Sequence, residues 1–190
     1  MPIDKEIAQF AHASSFADWL AQNHADHAGI RMKIAKRGSE TATVSYDDAV
    51  GVALQFGWID GPKASLDADF YLQTFTPRRP KSIWSKRNVD RVTAMIMEGT
   101  MNPAGLAEVD AAKADGRWDR AYEGQRGSKA SPEFLKALNK NPAAKAFYKT
   151  LNAANRYALY YRIQSAVKPE TRERRIEAFV EMLARGETFH

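Results

Sequence analysis

At 190 residues, with 44% hydrophobic and 27% charged side chains, the chain can bury a proper core as one large domain or two small ones. It has no cysteine, which excludes disulfides, thiolate metal sites and cysteine nucleophiles. Its 28 cations exceed its 23 anions by five, and the excess is local: Pro77 to Arg91 holds Arg78, Arg79, Lys81, Lys86, Arg87 and Arg91 against Asp90 alone, which leaves the remainder neutral.

The N-terminal stretch has no apolar run behind a basic start, and nothing approaches the roughly 18–20 apolar residues of a membrane span. A cytoplasmic protein without membrane insertion is expected. Ser15 with Asp18 resembles a capping box, and Phe16, Trp19 and Leu20 share one helical face behind it. Ile30–Lys36 sets Ile30, Met32 and Ile34 against Arg31, Lys33 and Lys36, the period of a half-buried strand. Ser45 caps a second helix with the stripe Ala49, Val52, Ala53 and Phe56, and Gly57 stops it.

Trp58–Asp60 and Phe70–Thr76 read as two strands joined by a long loop, with Pro77 and Pro80 closing the second. A third helix follows, capped by Ser82 or Ser85, with Val89, Val92 and Ile96 inward and Gly99 as its stop. From Asn102 the pattern is helical. Asn102-Pro103, Ser131-Pro132 and Asn141-Pro142 each place a capping residue before a proline, and Lys168-Pro169 starts a further helix without a good cap. The expected fold class is α+β: a small antiparallel sheet with helices in the N-terminal half (1–115), a glycine-bearing linker (116–130), and an all-helical half (131–190).

The basic segment 78–91 is the candidate site. If Ser85 caps the third helix, its first amides and the positive end of its dipole face outward. Ser82 and Ser85 add hydroxyls, Arg78, Arg79, Lys81, Lys86 and Arg87 add charge, and Trp84 lies among them. A phosphate, a carboxylate or a nucleic acid is the ligand that such a cluster takes. The alternative is a solvated rim, or an arginine paired with Asp60, Asp67 or Asp69. Aromatic platforms beside cations grip single-stranded nucleic acid, but Trp58 and Phe75 read as core anchors.

His24 and His27, with Asp26, read as surface histidines at a frayed helix end rather than as a metal site. Lys168–Arg175 reads as a self-paired helix surface. No P-loop, G-x-G-x-x-G, H-E-x-x-H or G-x-S-x-G is present, so no enzyme and no cofactor are expected.

The runs Phe56–Gly61, Phe75–Asn88, Met101–Gly105, Asp115–Asp119 and Glu170–Ile176 resemble the YdeI/OmpD-associated family of bacterial proteins, over roughly Phe16 to Gly186. The resemblance implies a small helical C-terminal module and a link to bacteriocin or antimicrobial-peptide protection. It implies an accessory protein that binds an unknown protein partner, and it assigns no catalytic residues. The second reading is an anion- or nucleic-acid-binding module.

Overall fold

Four strands and eight helices follow from local signals and long-range pairing in a computed structural model that describes residues 5–125 and 127–189. The described chain forms two compact units. One holds the residues up to Trp84 with Asn88–Arg120, the other Ser85–Arg87 with the residues from Ala121 on.

The first unit is built on β1 (Ile7–Gln9), β2 (Ile30–Ala35), β3 (Trp58–Ser65) and β4 (Phe70–Pro77), in the order β1-β2-β4-β3. β1 runs parallel to β2, and the other pairs are antiparallel. The sheet is therefore mixed, which corrects the antiparallel expectation. β1 has only three residues and no alternation to betray it.

Helix α1 (Ala13–Asn23) starts earlier than Ser15. His12 is its N-cap, and Ser15, three residues on, accepts from the His12 amide at 3.3 Å and donates to its carbonyl at 2.8 Å. Alternation along β2 sends Ile30, Met32 and Ile34 into the core beside Phe75 of β4. Phe16 of α1 meets Phe75 at 5.6 Å, and Trp19 stands edge-on to Trp58 at 5.8 Å. The Trp58 indole N–H donates to the His24 carbonyl at 3.1 Å, so this large buried ring is satisfied at its one polar atom.

Helix α2 (Tyr46–Gln55) is capped by Ser45, whose side chain accepts from the Asp48 amide, and Gly57 ends it at φ +74°. β3 is longer than expected, because a bulge between Asp60 and Lys63 lets it pass Pro62 and continue. The long loop shrinks to a turn in which Asp67 accepts from the Asp69 and Phe70 amides at 2.9 and 2.8 Å.

Helix α3 (Lys86–Met97) buries Val92, whereas Ile96, expected inward, is exposed. Helix α4 (Pro103–Ala114) has Asn102 as its cap, accepting from the Ala104 amide at 3.0 Å.

The second unit is helical: α5 (Pro132–Asn139), α6 (Pro142–Thr150), α7 (Ala153–Gln164) and α8 (Pro169–Ala184). Ser131 and Asn141 cap α5 and α6 as expected. α7 lacks the proline that marked its neighbours and is capped by Asn152, which accepts from the Asn155 amide at 2.9 Å. Phe134, Leu138, Leu159, Ile163, Ile176 and Leu183 form the core. Arg172 and Arg175 of α8 reach back to the Ala166 and Arg162 carbonyls rather than pairing along their own helix. Guanidinium groups there complement the negative end of α7.

Asn102→Ala and Asn141→Ala are each expected to lower the unfolding free energy by about 1 kcal/mol. Urea unfolding checks this as a shifted midpoint at unchanged slope. Among the described residues no helix is long and apolar enough to cross a membrane.

Candidate anion-binding site

Pro77 ends β4, and Pro80 takes the second position of a tight turn from Arg79 to Ser82, where its fixed φ is already suitable. The Ser82 amide donates to the Arg79 carbonyl at 2.8 Å, and the Arg79 amide donates to Ser82 Oγ at 3.0 Å. Three contacts brace this turn from behind. Arg78 is 6% exposed, with its guanidinium 3.6 Å above the ring of Trp84, itself buried. Trp118 meets Trp84 edge-on at 4.9 Å. Arg117 donates to the Ser82 carbonyl at 2.9 Å and to the Asp115 carboxylate at 2.6 Å. The hydrogen bond from Arg117 holds the Asp115 carboxyl below the usual carboxylate range.

The side of the sheet opposite Ile30 and Phe75 carries Arg31 paired with Thr74 and Ile59 paired with Thr76. These four, with Gly61, Pro62, Pro77, Arg79, Ser82 and Lys5, enclose a basin of about 730 Å³. Arg31 Nε donates to the Lys5 carbonyl at 3.3 Å, which ties the segment ahead of β1 to the rim. The lining has three cations and three hydroxyls, and no described residue in it is acidic. Such an arrangement attracts an anion and supplies donors for its oxygens.

The eight residues read from the sequence go to different places. Arg79 and Ser82 line the basin, and Lys81 is exposed at the turn between them. Arg78 and Trp84 are interior, stacked on one another. Ser85 precedes α3 and Lys86 and Arg87 open it, and all three belong to the second unit. There Ser85 bridges to Tyr122, the Lys86 amide donates to the Tyr122 carbonyl at 2.9 Å, and the Lys86 ammonium pairs with Glu123 at 2.9 Å. The first amide of α3, expected to face an anion, is thus taken by a carbonyl. Arg91 pairs with Asp47 at 2.6 Å.

Sequence reasoning missed Lys5 and Arg31. Arg31 did carry a signal, as a cation on the polar side of an alternating strand, but Lys5 carried none.

Other candidates resolve into structure. His27 is half-buried against Trp19 and Trp58, and His24 lies against Phe56, so neither is a frayed-end surface histidine. Among the described residues no group of three histidine, aspartate or glutamate side chains could hold a metal ion. Asp60 accepts from the Tyr46 hydroxyl at 2.7 Å. In the second unit Tyr160 hydrogen-bonds Tyr148 and lines a cavity of about 420 Å³ with Lys129, Ser131, Gln164 and Arg172. Burial, with that bond, pushes the Tyr160 hydroxyl up from its ordinary value.

Residues 8–108 match the model of a domain of unknown function, DUF8412. Residues 130–186 match the family described as bacteriocin-protection, YdeI or OmpD-associated. The run Glu170–Ile176 lies in that second match, whereas Phe56–Gly61, Phe75–Asn88 and Met101–Gly105 lie in the first. Neither a curated protein nor a solved structure matches the chain.

Proposed function

Since the chain belongs to the DUF8412 family and carries a YdeI/OmpD-associated module, we propose that it is a bacterial accessory of bacteriocin protection that works by binding an anion. The observation behind this reading is the basin lined by Lys5, Arg31 and Arg79 on the open side of the sheet, where no described lining residue is acidic. Antimicrobial peptides are typically cationic, so direct capture on this surface brings like charges together and is unfavourable. An anionic partner suits the surface, and protection follows indirectly from a cytoplasmic protein. The role is one of binding rather than turnover.

The test is bacteriocin challenge of a strain lacking the gene, complemented with the wild-type protein or with Lys5→Ala/Arg79→Ala. Wild type is expected to restore survival and the variant to fail, at equal protein level and with unchanged circular dichroism. Equal protection by the variant removes the basin from the function.

A further inference from the structure

We infer that the basin takes a compact phosphomonoester, a dianionic phosphoryl group on a small and partly apolar body. This deepens the anion-binding reading and rests on it. The three cations come from three separate places: Lys5 ahead of β1, Arg31 on β2, and Arg79 in the turn after β4. They converge on one basin instead of following a groove. Convergent charge suits a point-like dianion, whereas a nucleic-acid strand is followed by a track of cations with rings on which bases stack. Among the described residues no aromatic ring lines this basin.

The lining divides by chemistry. Arginine presents a planar fork to two oxygens of a phosphoryl group, and lysine adds a point charge. The hydroxyls of Thr74, Thr76 and Ser82 are donors of the right size for the remaining oxygens. Ile59, Pro62 and Pro77 offer an apolar wall for the body that carries the phosphoryl group. About 730 Å³ lies within the range of small-molecule sites.

The turn is also held in place before any ligand arrives. Arg117 grips the Ser82 carbonyl, and Arg78 on Trp84 fills the space behind it. Arg117 is thus a positioning residue, and Arg79 and Ser82 are the contacts it positions.

Calorimetric titration of the full chain, at slightly alkaline pH where phosphomonoesters are dianionic, tests this with three probes. They are phenyl phosphate, inorganic phosphate and a short mixed-sequence single-stranded DNA. Saturable one-site binding of phenyl phosphate is expected, tighter than that of inorganic phosphate, with no comparable binding of the DNA at physiological salt. Arg79→Ala should weaken phenyl phosphate about tenfold or more, as loss of a charge-assisted hydrogen bond does, and Arg79→Lys should recover part of the loss. Arg117→Ala should weaken binding while the chemical shifts of the Arg79–Ser82 amides move in the free protein.

Salt-dependent DNA binding that phenyl phosphate does not displace overturns the phosphomonoester and leaves the anion reading standing. Phenyl phosphate no tighter than inorganic phosphate overturns the apolar part of the ligand. Full affinity in Arg79→Ala overturns the location. Failure of all three probes overturns the anion reading itself.

Discussion

Trp58→Ala is expected to lower the unfolding free energy of the first unit by about 3–5 kcal/mol, the range for truncating a large buried aromatic. Trp58 is 1% exposed, with Trp19 edge-on at 5.8 Å and His27 at 6.4 Å. Removing it opens a cavity that neither ring can fill, because each is fixed by other neighbours. Trp19 also meets Phe10 and Phe16. Trp58→Phe separates packing from hydrogen bonding. It keeps most of the ring but leaves the His24 carbonyl without its indole donor, a loss of about 1–3 kcal/mol. The alanine variant should therefore be clearly the less stable in urea unfolding. Equal losses for the two variants would place the energy in the hydrogen bond and sink the packing argument.

Gly105→Ala is expected to destabilise by about 1–3 kcal/mol, against the sign that helix propensity alone predicts. Gly105 lies in the first turns of α4, where alanine is ordinarily better by about 1 kcal/mol. A Cβ at this position would overlap the Gln55 carbonyl oxygen and come within 2.8 Å of its carbon and of the Met101 methyl. The carbonyl cannot withdraw without losing the Asn102 amide, which donates to it at 3.2 Å. On the other side of the junction Gly57, at φ +74°, is 3.0 Å from the Ala104 carbonyl by the same measure. Close approach of α4 to the end of α2 thus explains glycine in both Phe56–Gly61 and Met101–Gly105. Thermal unfolding decides it: a raised midpoint in Gly105→Ala would show that the helices are not in contact there.

Local rules made much of the fold legible. Asn102, Ser131 and Asn141 announce their helices because a cap and a following proline are both local devices. α7 stayed hidden because Asn152 has no proline behind it, so the cap lacks the local mark that its neighbours carry. β1 stayed hidden because three residues become a strand only through pairing with β2.

The charge excess of the basic segment was plain, but its division was not. Arg78 turns inward because the Arg79–Ser82 turn brings Trp84 beneath it. Arg91 is matched by Asp47, far away along the chain. Lys5 and Arg31 join Arg79 only through the β1-β2 and β2-β4 registers, which no linear pattern encodes.

The register shift between Asp60 and Lys63 has a meaning beyond the shape of β3. β3 is an outer strand of the sheet, and an outer strand with a straight row of unpaired amides invites a second molecule to add its own strand. Here the row is interrupted by the bulge, lacks a donor at Pro62 and carries a charge at Lys63. The opposite margin, β1, is only three residues long. Among the described residues both margins of the sheet are therefore poor templates for an added strand, and the bulge that lets β3 pass Pro62 also makes its edge harder to extend.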